Sequence, residues 1–288
     1  MKRILVTGAS GQLGRAFIRK TIGKYIVLGT GRKYFDFCPF KKGDITDRNF
    51  IKQTVDGYMP DAIVHFAAMT GVDECEQNHS EAESINTASV EQILNEFSGY
   101  FIFISTDYVF DGKDGHYSEK EKTNPINVYG KTKLEAESII RSHSQKWLIL
   151  RTNVLFDYTD WTTASFVNWV VSSLRNRKSI SVVLDQFNNP IWTDHLAQII
   201  YSLMEIDATG LYHSGGIDYI SRYDFALMIA KKFKLDSSLV SPITTKALNQ
   251  RALRPLKGGL RTEKITDDFG IIPPTIDEAL SAISGCTC

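Results

Sequence analysis

The chain opens with a pattern that leaves few folds open to it. Lys2-Arg3-Ile4-Leu5-Val6-Thr7 is a short apolar run led by two charges, and Gly8-Ala9-Ser10-Gly11-Gln12-Leu13-Gly14 comes directly after it. Arg15 to Lys20 then reads as helix. A buried strand, a glycine turn and a helix start place backbone N–H groups at a helix N-terminus, where they attract phosphate. The glycines stand three apart, GxxGxxG, not in the tighter GxGxxG spacing. Their work is similar: Gly8 lets the chain turn, Gly11 lets backbone approach a phosphate, and Gly14 lets the helix pack close to the sheet. Three glycines in seven residues also occur in ordinary loops, but the strand directly ahead favours nucleotide binding.

The remainder of the chain has an α/β rhythm. Lys24 to Leu28, Asp61 to Phe66, Tyr100 to Ile104 and Trp147 to Arg151 read as further strands. Tyr100-Phe101-Ile102-Phe103-Ile104 is apolar throughout, as a parallel strand covered on both faces requires. Helices are expected from about Ser80 to Glu96 and from Tyr129 to about Ser142. The expected fold is a doubly wound Rossmann-type parallel sheet with a smaller C-terminal lobe. In this reading residues 1–151 form the nucleotide-binding domain, with 165–205 returning to it, and 152–164 and 206–288 form the lobe. A chain of 288 residues has material for both.

Composition narrows the class. Lys+Arg equals Asp+Glu at 33 each, with no long basic run, so no nucleic-acid partner is expected. No apolar run approaches 18 residues, so no membrane span is expected. The strand that starts at Lys2 leaves no room for a secretory leader. Cys38, Cys75, Cys286 and Cys288 form no CxxC pair and read as free thiols in a reducing compartment, the cytoplasm, with a bond involving the tail left open. His65 and His79 match no metal-ligand spacing with Asp73, Glu74 and Glu76, and Asp111, Asp114 and Glu119 match no calcium loop. No metal is expected.

Candidate chemistry collects at predicted strand ends. Arg32 and Lys33 stand where an Asp or Glu usually accepts from a ribose diol, and two cations there favour the extra phosphate of NADP(H), with NAD(H) as the other option. Asp44 is placed to accept from an adenine amino group while Ile45 packs on the ring. Ala67, Ala68 and Thr70 are small enough to let backbone pass a ribose. Val72 to Glu76 reads as an acidic loop ahead of the helix that carries Asn86. Tyr129 and Lys133 are four apart and share one helical face, about 6 Å apart along the axis. An ammonium beside a phenol favours the phenolate and eases proton exchange with a substrate oxygen. Thr106, at the preceding strand end, could hold the same oxygen. The polar stretch from Tyr108 to Asn127 reads as a substrate-side flap. Arg251, Arg254 and Lys257 either face a diphosphate or form a solvated rim.

These residues together resemble the extended short-chain dehydrogenase/reductase superfamily. Several blocks resemble one family within it, dTDP-4-dehydrorhamnose reductase. They are Gly11-Gln12-Leu13-Gly14, the run Ala67 to Asp73, Ser105-Thr106-Asp107-Tyr108-Val109-Phe110-Asp111-Gly112, the run Asn127 to Leu134, Val183 to Gln186, Tyr212-His213 with Gly216, and Arg254-Pro255. The resemblance implies reduction of the C4 ketone of dTDP-4-dehydro-L-rhamnose with a nicotinamide cofactor. It implies Tyr129 as proton donor, Lys133 as ribose contact that lowers the Tyr129 pKa, and Thr106 as the group polarising the ketone. Implied cofactor contacts are Gly8, Ser10, Gly11, Gln12, Leu13, Gly14, Arg32, Asp44, Ile45, Ala67, Ala68, Thr70, Asn86, Tyr129 and Lys133. Implied substrate contacts are Val72, Asp107, Val109, Phe110, Asn153 and Arg254, and a homodimer is a further implication.

The chain departs from the family pattern at three places. Arg151-Thr152-Asn153-Val154 stands where Arg-Thr-Ser-Trp is usual, Asn188-Asn189-Pro190-Ile191 comes after Asp185-Gln186 and Phe187, and Gly258-Gly259-Leu260 replaces a serine-containing run. Two other readings compete. One is a non-catalytic NADP-binding subunit resembling the regulatory beta subunit of methionine adenosyltransferase. The other is a nucleotide-sugar epimerase or dehydratase, although Thr106-Asp107-Tyr108 lacks the Asp-Glu pair that dehydratases use.

Overall fold

Seven parallel strands form the central sheet of the structure, a computed structural model that describes residues 1–144, 146–162 and 165–285. They are β1 (Arg3–Thr7), β2 (Ile26–Gly31), β3 (Phe40–Lys42), β4 (Ala62–His65), β5 (Tyr100–Thr106), β6 (Trp147–Thr152) and β7 (Gly210–Ser214). Their spatial order is β3-β2-β1-β4-β5-β6-β7. The chain reverses its direction of travel between β1 and β4. Such a switch point opens a crevice at the carboxyl ends of the strands.

The strands are apolar on both faces because helices cover both. Alternate side chains point to opposite sides of a strand. Ile4 and Val6 therefore join Phe17, Leu196 and Ile200 in one core, while Leu5 joins Phe101, Phe103 and Ile140 in the other. Helices Gln12–Thr21 and Thr193–Glu205 lie side by side on the first face. Helices Arg48–Tyr58, Ser89–Glu96 and Val128–His143 cover the second. Asp47 caps the Arg48 helix by accepting from the N–H groups of Asn49 and Phe50. His65 lies between Phe101 and Phe103, an interior histidine that burial pushes down to about 3.

The smaller lobe has its own core. Helices Phe166–Arg175, Arg222–Lys232 and Ile276–Gly285 pack around the paired strands Ile180–Val183 and Val240–Ile243. This division differs from the expected one at two places. Residues 165–183 belong with the lobe, and β7 belongs to the main sheet, where Gly210–Ser214 pairs with Leu148–Thr152. An apolar helix face such as Val167-Val170-Val171 fits either core, so its pattern does not say which. β6 otherwise exposes an unpaired edge, which β7 covers.

Two helical details also differ. Val72–Gln77 is a helix, not a loop, with Asp73 and Glu74 in its first turn, where negative charge is favourable, and Cys75 buried beneath. The segment expected from Ser80 to Glu96 is helical but contains a wider turn at Ser84–Ala88. Cys38 and Cys75 are free thiols, while Cys286 and Cys288 lie outside the described residues. Among the described residues no helix is long and apolar enough to cross a membrane.

One buried pair fixes the helix Val128–His143 to the sheet. Glu137 accepts from Nε and Nη2 of Arg151, on β6, at 2.8 and 2.7 Å. Both side chains are at most 3% exposed. Replacing Glu137 by Ala leaves a buried guanidinium without its partner and is expected to cost about 3–5 kcal/mol, read as a lowered urea midpoint with unchanged slope.

Candidate active site

The crevice at the switch point runs from the ends of β1 and β2 across to β5 and β6. One end is a cavity of about 330 Å³ lined by Ser10, Arg32, Lys33, Asp44, Ile45, Ala67 and Ala68. The other, about 440 Å³, is lined by Gln12, Leu13, Gly14, Thr70, Val72, Thr106, Asp107, Tyr129, Lys133 and Asn153. Gly8, Gly11, Phe66 and Ala68 line both, so the two are one continuous groove.

The glycine turn is built for close approach. A Cβ on Gly14 would stand 2.5 Å from the Gly8 carbonyl oxygen, so the helix start sits directly on the turn. Gly8 has φ +65°, a region that favours glycine. Gly11 takes the N-cap position with no side-chain cap, which leaves the first N–H groups of the helix open toward the groove. A phosphate fits there on geometry and on the helix dipole. Arg32 stands close enough to Asp44 to depress its carboxyl, although the Thr46 backbone N–H is the larger cause. Cations and an acceptor therefore coexist at the adenosine end of the groove.

At the other end three groups converge. Asn127 caps the helix Val128–His143 by accepting from Gly130 N–H at 2.9 Å. Gly130 abuts the Tyr108 carbonyl so closely that a Cβ would lie 2.1 Å from it. This contact seats Tyr129 beside the end of β5, where Tyr108 meets it edge-on at 5.9 Å. Burial raises the Tyr129 pKa above its usual value, with the Thr106 hydroxyl opposing. Lys133 is 3% exposed, lies 3.8 Å over the Phe103 ring, and is pushed down to about 7 by burial, with Glu137 opposing. The net direction at Tyr129 is upward, opposite to the expected lowering, because burial of the phenol outweighs the Thr106 hydrogen bond.

Four expected contacts stand elsewhere. Asn86 is buried away from the groove, where its Oδ1 accepts from Met69 N–H at 2.8 Å and its Nδ2 donates to Thr132 Oγ1. It shapes the Ala67–Thr70 bend without lining the groove. Val109 and Phe110 are fully buried in a small core with Tyr117 and Leu260, Phe110 stacked on Tyr117 at 4.3 Å. A long loop needs such a core of its own to stay ordered, and it claims these two side chains. Arg254 is held by both oxygens of Asp73 at 3.2 and 2.9 Å and does not line the cavity. Conversely, sequence reasoning missed Tyr108, Ser105 and Val154, which line the cavity. It also missed Glu137, one helical turn beyond Lys133 on the same helix. The four-residue spacing of Lys133 and Glu137 was the available signal.

The chain matches the family model described as RmlD substrate binding domain over residues 1–285. It is 34% identical to a dTDP-4-dehydrorhamnose reductase from Aggregatibacter actinomycetemcomitans, covering 98% of each chain. It is 30% identical to methionine adenosyltransferase 2 subunit beta from Danio rerio, covering 92% of this chain and 84% of that one. The crystal structure of the dTDP-4-dehydrorhamnose reductase from Bacillus anthracis in complex with NADP superimposes with a TM-score of 0.90 at 27% identity, covering 99% of both chains.

Asp107 gives this site a measurable pH signature. Its carboxyl is buried and lifted from 3.8 to about 6, with hydrogen bonds from Gly259 and Thr106 opposing. The folded value lies above the unfolded one, so this contribution is intact below about pH 4 and is lost as pH rises through about 6. Asp107→Asn is expected to raise unfolding free energy by about 2–3 kcal/mol at pH 8 and by little at pH 4, measured by urea unfolding at both. The chain belongs to the dTDP-4-dehydrorhamnose reductase family.

Proposed function

We propose that this protein reduces the C4 ketone of a nucleotide-linked 6-deoxy sugar, dTDP-4-dehydro-L-rhamnose, to the alcohol, with NADPH preferred over NADH. The observation that carries the reading is that Thr106, Tyr129 and Lys133 line one cavity, in a groove continuous with the uncapped glycine-turn helix. Bound nicotinamide supplies the hydride, which the protein has no group to provide.

The chain's own residues do the rest. The N–H groups after Gly11 hold the pyrophosphate, and Arg32 with Lys33 meets the extra phosphate of the adenosine ribose. Thr106 donates to the ketone oxygen and Tyr129 transfers its phenolic proton to that oxygen as charge develops on it. The raised Tyr129 pKa suits this role, because a proton donor must still hold its proton at neutral pH. Lys133, kept close by the helix, donates to the nicotinamide ribose and offsets the phenolate that remains. Val72, Asp107 and Asn153 face the sugar. The free thiols of Cys38 and Cys75 accord with a reducing compartment, and we assign the protein to the cytoplasm.

The rival reading, an NADP-binding regulatory subunit, has a relative in its favour. A Tyr129→Phe comparison separates the two. The parent is expected to oxidise NADPH in the presence of dTDP-4-dehydro-L-rhamnose, and the variant to lose about 100-fold or more in kcat while its Kd for NADPH stays within about twofold. NADPH binding without turnover by the parent points to the regulatory role. Arg32→Ala is expected to weaken NADPH binding by about tenfold and NADH binding far less, checked by calorimetric titration.

A further inference from the structure

Arg15, in the first turn of the helix Gln12–Thr21, is a cation that no carboxylate among the described residues pairs with. Its Nε donates to the Ser10 carbonyl oxygen at 2.9 Å, inside the glycine turn. Its guanidinium lies between two aromatic rings, 4.6 Å from the Phe35 centroid and 4.2 Å from the Trp161 centroid. A planar, weakly hydrated guanidinium suits such a sandwich, since each ring face attracts the cation while Nε keeps its hydrogen bond. The three groups it joins come from separate parts of the chain. Phe35 belongs to the loop between β2 and β3, the loop that also carries Arg32 and Lys33. Its ring is 3% exposed, and Phe37 stacks on it at 5.1 Å. Ser10, Arg32 and Lys33 line the same 330 Å³ cavity. Trp161 comes from the segment that leads into the lobe helix Phe166–Arg175.

We propose that Arg15 is a positioning residue for the adenosine-phosphate end of the groove. Clamped by Phe35 and Trp161, it pins the loop carrying Arg32 and Lys33 against the glycine turn, and so sets how strongly NADPH is preferred to NADH. The inference rests on the NADPH reading given above. The pyrophosphate takes its N–H groups from the turn and the helix start, whereas the extra phosphate is met by Arg32 and Lys33. A loosened loop penalises the cofactor that carries this phosphate, because two long cations must then be ordered at binding instead of before it. Arg15 itself lines neither cavity, and neither does Trp161. Both act through the loop, not by touching the cofactor. The Trp161 ring thereby gives the segment ahead of the lobe a part in cofactor choice.

Calorimetric titration of NADPH and NADH into the purified protein tests this, with Trp161→Ala, Trp161→Phe and Arg15→Met beside the parent. Trp161→Ala removes one ring and leaves every charge in place, at a side chain 38% exposed where folding tolerates the change. It is expected to weaken NADPH binding about three- to tenfold and NADH binding by less than about twofold. Trp161→Phe restores an aromatic face and is expected to bind NADPH within about twofold of the parent. Arg15→Met vacates both ring faces and is expected to weaken NADPH by about tenfold or more, and NADH by less. Equal losses for both cofactors in Trp161→Ala reveal a general structural role and overturn the proposal. Parental NADPH affinity in Trp161→Ala overturns it as well, since the stack then does nothing for the loop. Arg32→Ala in the same series separates the inference from its basis. If Arg32→Ala binds NADPH as tightly as the parent, the phosphate-site reading fails and takes this inference with it.

Discussion

Burying Glu137 and Arg151 removes two charges from water, a penalty that only close, well-satisfied geometry offsets. Their bidentate contact provides it, and Arg141 shares the carboxylate at 3.1 Å. His213 continues the chain of contacts. Its Nδ1 meets the Tyr117 carbonyl at 2.9 Å and its Nε2 faces Arg151 Nη1 at 3.4 Å. A neutral ring with Nδ1–H donating and Nε2 accepting satisfies both, and burial holds His213 neutral by pushing it down to about 3. One polar network thus joins the helix that carries Tyr129 and Lys133, the strand that leads to Asn153, the edge strand, and the loop expected to be a substrate-side flap. That loop is further fastened where Glu119 accepts from His213 N–H at 2.8 Å. The reacting groups sit on rigid elements tied to each other, as positioning catalysis requires.

The electrostatics of the cavity stem from the same enclosure. Removing water favours the neutral forms of Tyr129, Asp107 and Lys133 alike. For a proton donor this is useful, since it keeps the phenol protonated until an oxyanion begins to form beside it. For Asp107 it is a burden on stability, retained at a position where the carboxyl takes a hydrogen bond from Thr106 at 3.3 Å. Sites that trade stability for chemistry are expected to look like this.

Much of this architecture was legible in the chain. The glycine turn, the all-apolar β5 and the Tyr129–Lys133 spacing are local patterns, and each depends on neighbours within a few residues. What the sequence could not convey were choices between equally apolar or equally charged partners. Val109 and Phe110 look like any side chains near a site, and only the closing of the loop shows that they pack on Tyr117 and Leu260. Arg254 looks free until Asp73, 181 positions away, is seen to hold it. Asn86 looks like a ligand contact but spends its amide on Met69 and Thr132. The allocation of 165–183 to the lobe and of β7 to the sheet is long-range in the same way.

All of these contacts converge on a single proposed event, in which the groove brings a hydride to a ketone whose oxygen takes its proton from Tyr129. Isotope transfer examines that event itself, using NADPH deuterated at the transferable position of nicotinamide C4, incubated with the protein and dTDP-4-dehydro-L-rhamnose. One deuterium at C4 of the sugar is expected in the product, located by NMR and weighed by mass spectrometry. Cofactor bound and recovered with its deuterium intact, and sugar unchanged, would contradict the proposed transfer.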